Sequence, residues 1–247
     1  MFKLSILTCT KNSENTILDT IRSVNAQNYT NYEQIFVDGG STDKTLEICS
    51  TAFNSKIFIK PELNLYEALN YGLSKCSGDI IYILHSDDQI VYDELFKKIM
   101  EIFDKLNVDV IYSNIIMKRN GKLFRKWNSK QLEKSDIENF NFPAHTSLFY
   151  TKKVFKKIGL FNTEYKIASD FDYLVRLFGN TEIKKCFFNK TTLSMNYGGL
   201  STKSIKSILF QNYENLKIIK KKNNNILKIT TIFLYKIINR IEQFLKK

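Results

Sequence analysis

Residues 33–43 read EQIFVDGGSTD, and residues 80–88 read IIYILHSDD. Each is a short apolar run that stops at a cluster of small and acidic residues. Such a run, bounded by turn residues, is the pattern of a strand buried on both faces. Working outward, residues 3–9 (KLSILTC) form another such strand, and Ile57–Ile59 and Val108–Tyr112 two more. The stretches between them have the other period. Residues 14–27 place Ile17, Leu18, Ile21 and Val24 on one face, with Asn12 or Ser13 as N-cap. Residues 44–52 and 93–105 read as helices. From Leu65 to Cys76, apolar or small side chains fall at 65, 68, 69, 72, 73 and 76, the spacing of a core-facing helix. Strand and helix alternate through the first 115 residues, which predicts an α/β fold: a parallel sheet with helices on both faces.

Beyond residue 115 the pattern loosens. Gly121 is a hairpin candidate, residues 146–150 form an apolar strand, and Asp170–Phe178 is helical. Lys220–Asn225 (KKKNNN) reads as a charged linker. After it, Ile226, Ile229, Phe233, Ile237, Ile241 and Phe244 recur at three or four, which predicts an amphipathic helix. The chain has 247 residues and a net charge of +12, unevenly spread. Residues 1–202 hold 26 Lys and Arg against 23 Asp and Glu, whereas residues 203–247 hold 11 against 2. A nucleic-acid reader would be expected to carry its charge on the folded body. Nineteen Phe and thirteen Tyr are enough for a sizeable core and exclude global disorder. Four scattered Cys without a CxxC argue against a disulfide framework or zinc knuckle and for reduced thiols. The N-terminal apolar run is too short for a signal peptide, and no uninterrupted run of eighteen apolar residues predicts a membrane span.

In open α/β sheets, ligands bind outside the carboxyl ends of the strands. Three polar clusters are expected there: Thr8–Asn12, Asp38–Asp43 and His85–Asp88. Asp87-Asp88 could hold Mg²⁺ or Mn²⁺ together with substrate phosphates, or could simply cap a turn. Asp38, ahead of two glycines, could accept from a nucleobase or ribose, or belong to an ordinary turn. Asp170 could be a general base or a helix-terminal charge. His145 reads as structural. GxGxxG and GxxxxGK[ST] are both missing, which removes the usual support for dinucleotide oxidoreductases and P-loop enzymes.

Taken together, five segments resemble family 2 glycosyltransferases with the GT-A fold. SILTCTKNSENTILDTIRSV (5–24) resembles the family's first nucleotide-binding strand and helix. FVDGGSTDKT (36–45) is similar to VDDGSTDxT. KPELNLYEALNYGLSKCSGDIIYILHSDD (60–88) resembles EPDxGIYDAMNKGIxxAxGDxIxFLNxDD of exopolysaccharide-type members. HTSLFYTKKVFKKIGLFNTEYKIASDFDYLVRL (145–177) is similar to the acceptor-side segment, and GGLS (198–201) to a late motif. Gly39 stands where the family usually has Asp, and Lys60 and Glu62 depart from EPD.

The resemblance implies a catalytic domain over residues 1–202, with a nucleotide-sugar half (1–115) and an acceptor half (116–202). A basic helical extension over 203–247 follows. It implies that Thr8, Thr10 and Lys11 line the nucleotide pocket and that Asp38 contacts the uracil or ribose. Asp87 would hold the ribose or donor sugar, Asp88 would ligate Mn²⁺ or Mg²⁺, and Asp170, in Ser169-Asp170, would be the base. The implied reaction is inverting, single-sugar transfer from a UDP-sugar to a glycan or lipid-linked acceptor in surface polysaccharide synthesis. Trp127 lies outside the QxxRW context of processive synthases. The rival readings are a nucleic-acid-binding protein using the basic tail and a nucleotidyltransferase. The expected location is the cytoplasm, with the tail on the anionic inner face of the membrane or, alternatively, docked on the core or on a second subunit.

Overall fold

The computed structural model describes residues 1–119, 121–198 and 204–222. Four strands, β1 (Leu4–Thr10), β2 (Tyr32–Asp38), β3 (Ser55–Ile59) and β4 (Ile80–Ile83), lie parallel in the order β3-β2-β1-β4. β1, β2 and β4 are buried along their whole length, with both faces covered. On one face Leu7, Ile35, Val37, Ile81 and Ile83 pack under α3 (Leu65–Lys75). On the other, Leu4, Ile6, Ile80 and Tyr82 pack under α4 (Leu95–Leu106) through Phe96, Ile99 and Phe103. Ile17 and Ile21 of α1 (Ile17–Asn25) cluster with Phe36 of β2 and Cys49 of α2 (Thr45–Ser50). The expected helix over 14–27 starts later, because Ser13 turns the chain by accepting from the Thr16 and Ile17 amides at 3.0 and 2.9 Å.

The start of α3 is fixed by its sequence. Asn64 accepts from the Tyr66 and Glu67 amides at 3.0 and 3.1 Å, while Glu67 accepts from the Asn64 amide at 2.9 Å. This capping box satisfies amides that the first turn leaves open. Gly72 lets α3 lie close on β1, since a Cβ there would stand 2.3 Å from a Leu7 methyl.

The sheet departs from the all-parallel expectation on its second half. β6 (Val110–Arg119) is not the neighbour of β4; β8 (Phe149–Thr151) lies between them, antiparallel to both. β9 (Lys185–Asn196) runs parallel to β6, and β5 (Gln89–Ile90) pairs antiparallel with β9. β7 (Lys122–Trp127) returns along β6, with Gly121 at φ +74 in the connection. The residues expected to begin a strand at 146 instead form a 3-10 turn, His145–Ser147. Short helices α5 (Lys134–Glu138) and α6 (Lys152–Ile158) precede α7 (Ser169–Gly179).

The described part of the basic extension is α8 (Ile205–Lys222). It buries Ile218 and Ile219 in the cluster that holds Leu174, Leu177 and Phe178 of α7. The amphipathic stretch 226–245, the end of KKKNNN and residues 199–201 of GGLS lie outside the described residues. All four cysteines are free thiols. None of the described helices is long and apolar enough to cross a membrane.

Candidate active site

The loops after β1, β2 and β4 are sewn together by side-chain hydrogen bonds. Asn12 donates its amide to Ser41 Oγ at 2.8 Å and accepts from the Thr42 amide at 2.9 Å. Ser13 takes Thr45 Oγ1 at 2.7 Å through its amide, and its hydroxyl lies 3.1 Å from Ser86 Oγ in the third loop. Asn12 adopts φ 48, a left-handed conformation that Asn tolerates better than most residues.

Asp38 ends β2 opposite Thr10 of β1. Its carboxylate serves its own loop: Oδ1 accepts from the Gly40 and Ser41 amides at 2.9 and 2.7 Å, and Oδ2 from the Ser41 hydroxyl at 2.6 Å. Asp38 is fully buried, and both of its carboxylate oxygens are engaged by its own loop. Thr8 and Thr10 are likewise buried, and Thr10 Oγ1 has no hydrogen-bond partner. Lys11 is exposed at the rim, and its chain lies against Gly39, where a Cβ would come within 3.1 Å of Lys11 Cδ.

After β4, the amide of Asp88 closes a turn on the His85 carbonyl at 3.1 Å. Asp88 is 1% exposed, and its Oδ2 has no partner. Burial, then the neighbouring Asp87 charge, hold its carboxyl well above the usual carboxylate range. Asp87 is half-buried, and its carbonyl accepts from Asn196 Nδ2 at 3.0 Å.

Asp170 is the second residue of α7. Its Oδ1 accepts from the Phe171 amide at 2.7 Å and from the Tyr66 hydroxyl at 3.5 Å. His145 Nδ1 stands 3.4 Å from Oδ2, the two side chains being 18% and 27% exposed for His145 and Asp170. His145 Nε2 in turn lies 2.9 Å from His85 Nε2. Asp170 is thereby linked to the Asp87-Asp88 loop through two imidazoles. Burial pushes the Asp170 carboxyl up to about 6, opposed by the Phe171 amide and His85. Burial pushes both imidazoles down to about 4; for His85 the approach of His145 adds to it, and Asp87 and Asp170 oppose it. Both rings are therefore neutral at pH 7. If His145 turns an Nδ1 proton toward Asp170, its Nε2 is the acceptor of a proton on His85 Nε2.

Asp172, two residues on, is taken up by Arg176, whose Nε donates to Oδ2 at 2.8 Å. Its neighbour Asp170 is thus the carboxylate of this pair that stands partly free. The sequence places His85 in a strand-end cluster and His145 as structural, but does not foretell that the two meet. They are the only two in the chain, and one immediately precedes the Ser86-Asp87-Asp88 cluster, but a separation of sixty residues hides their contact.

The pattern described as Glycosyl transferase family 2 matches residues 5–167, about two thirds of the chain. The chain is 28% identical over 207 residues to a PGL/p-HBAD biosynthesis glycosyltransferase of Mycobacterium bovis, covering 80% of this chain and 78% of that one. It is 34% identical over 182 residues to an uncharacterized glycosyltransferase of Rickettsia typhi, covering 68% and 56% respectively. In three dimensions it is similar to S. aureus TarS 1–349 in complex with UDP-GlcNAc, with a TM-score of 0.69 and 22% identity over 88% of this chain and 65% of that one. It spans 43% of the longer TarS structure. Mannosyltransferase PcManGT from Pyrobaculum calidifontis, in complex with GDP-Man and Mn²⁺, is similar at a TM-score of 0.63 and 13% identity, over 95% and 69% of the two chains. The fold is that of GT-A enzymes. With the family pattern running from β1 to the segment before Asp170, through all three strand-end loops, the chain belongs to glycosyl transferase family 2.

Proposed function

We propose that this glycosyltransferase moves one sugar, with inversion, from a UDP-sugar to a hydroxyl of a glycan or lipid-linked acceptor, with Asp170 as general base. The observation that carries the reading is the Asp170 carboxyl itself: partly exposed, at the start of α7, and lifted to about 6 beside a neutral imidazole. A base works best when its pKa lies near the working pH. At pH 7 Asp170 is mostly ionised and can take the acceptor hydroxyl proton. As it does so, the acceptor oxygen forms its bond to the anomeric carbon. The bond from that carbon to the diphosphate breaks, and the electron pair leaves with the nucleotide. Phe171, Tyr66 and His145 hold the carboxylate while it changes charge.

The Asp88 carboxylate fits a divalent cation in chemical character. It is buried, ionisable and has an oxygen without a partner, an arrangement costly unless a positive charge accompanies it. The described residues contain no cluster of three or more His, Cys, Asp or Glu arranged to hold a metal ion, so Asp88 would share Mn²⁺ or Mg²⁺ with diphosphate oxygens and water. When bound, such an ion neutralises charge on the departing diphosphate. Thr8, Thr10, Lys11, Asp38 and Asp87, at or beyond the carboxyl ends of β1, β2 and β4, are the candidates for donor contact. The UDP-GlcNAc complex of the similar TarS structure supports a uridine donor.

The outward face of α8 supports a peripheral membrane location. Leu209, Phe210 and Tyr213 are exposed there, flanked by Lys206, Lys217 and Lys220. Each such cation near an anionic bilayer contributes about 1 kcal/mol, and the apolar residues add to it. Full-length protein should float with anionic liposomes, less so in high salt, whereas equal flotation with neutral liposomes would contradict the electrostatic contribution. The donor assignment is tested by thermal melts with a panel of sugar nucleotides, with and without Mn²⁺. A uridine donor should raise Tm, and more so with the ion. Stabilisation by guanosine donors alone would overturn the uridine reading.

A further inference from the structure

Glu214 is one of only two acidic residues among the last 45, against eleven Lys and Arg. It sits on the inward side of α8 and is 4% exposed. Its carboxylate accepts from three consecutive backbone amides: Oε1 from Lys166 at 2.8 Å, and Oε2 from Ile167 at 2.9 Å and Ala168 at 3.0 Å. These residues lead directly into α7, with Asp170 two positions further on. Ala168 is the N-cap of α7 and has no side chain that can cap. A carboxylate from another helix therefore stands at the positive end of α7, where negative charge is favoured. The segment is held from its other side as well, because the Tyr66 hydroxyl donates to the Ile167 carbonyl at 2.6 Å. Tyr66 is the same residue that reaches Asp170 Oδ1.

We infer that Glu214 is a positioning residue for Asp170. By gripping residues 166–168 opposite Tyr66, it sets where α7 begins, and so where the Asp170 carboxyl lies relative to His145 and the incoming acceptor. The basic extension is then part of the catalytic apparatus through one acidic side chain. This rests on the reading of Asp170 as the base. Without Glu214, three amides lose their acceptor, the start of α7 is free to shift, and a misplacement of about 1 Å at a reacting group can cost about 100-fold in rate.

The test is a double-mutant cycle on the full-length enzyme with Glu214→Gln, Asp170→Asn and both together. Gln keeps one acceptor oxygen but turns an NH₂ toward amides that need an acceptor. Glu214→Gln should lower kcat by about tenfold or more, with the KM for the sugar nucleotide and calorimetric binding of UDP unchanged. In the Asp170→Asn background the same change should cost almost nothing further, since no base is left to misplace. Glu214→Asp, which keeps the charge, should recover part of kcat and serves if the Gln variant does not fold. An unchanged kcat in Glu214→Gln, with Asp170→Asn inactive, overturns the positioning role alone. So does an equal fold-loss in both backgrounds, which marks a structural effect. Wild-type turnover in Asp170→Asn overturns the base reading, and the positioning role with it.

Discussion

Glu33, near the amino end of β2, and Asp88, just past the carboxyl end of β4, are both almost completely buried carboxylates on the same sheet. Their surroundings are opposite. Glu33 accepts from the Ser5 hydroxyl at 2.7 Å, the Ser77 amide and hydroxyl at 2.8 Å each, and Lys56 at 3.0 Å, with Lys3 at 3.4 Å. Burial alone would raise its carboxyl, but these donors outweigh it and bring the group down to about 2. Asp88 has an oxygen with no partner and is pushed upward; Asp170, linked to the same loop by two histidines, is pushed up to about 6. A buried charge whose lone pairs are all used serves the fold. One held at a cost, with capacity left over, marks where a ligand or a proton is to come.

The largest effect is expected at Asp88. Asp88→Asn should abolish transfer and remove any metal-dependent rise in Tm. It should not lower the metal-free Tm, because burial already opposes ionisation of this carboxyl and one of its oxygens has no partner to lose. Full turnover of the wild type in excess chelator would break this half of the comparison.

Glu33→Gln should cost about 2 kcal/mol in urea melts at pH 7, the range for hydrogen bonds to a charged group, and leave kcat unchanged. The pH dependence gives the sign. A carboxyl lowered to about 2 contributes stability above the usual value near 4.5 and loses it as pH falls between the two. The gap between Glu33→Gln and wild type should therefore narrow from pH 5 to pH 2. A constant gap would contradict the charge-based account.

For Asp170 the sign is reversed. A carboxyl raised to about 6 binds its proton more tightly in the folded state, so its contribution to stability grows as pH falls from 6 toward 4. Catalysis goes the other way, since the protonated acid is no base. The kcat profile should fall on the acid side of about 6, while both imidazoles stay neutral until about 4. A profile flat to pH 4.5 would remove the link. The smallest effect is expected at His145→Gln, which keeps an N–H donor but not the ring. It should lower kcat by roughly tenfold and leave UDP binding intact.

The strands at the two ends of this comparison are legible in the sequence, because β1, β2 and β4 are apolar on both faces and stop at turn residues. Asp87, Asp88 and Asp170 stand out for the same reason: acidic residues at element ends. The rest depends on long-range pairing. Three residues, Phe149–Thr151, insert antiparallel between β4 and β6, and nothing in their own pattern sets that order. His85 and His145 meet across sixty positions, and Glu214 reaches its three amides from a helix whose composition reads as a basic appendage.

The most direct test of Asp170 as the base is turnover of Asp170→Asn, measured with the active sugar nucleotide and acceptor beside calorimetric binding of UDP. Asn keeps the shape and loses the basicity. The account predicts a fall in kcat of about 100-fold or more with UDP affinity unchanged. Turnover near that of the wild type, with binding intact, would contradict it.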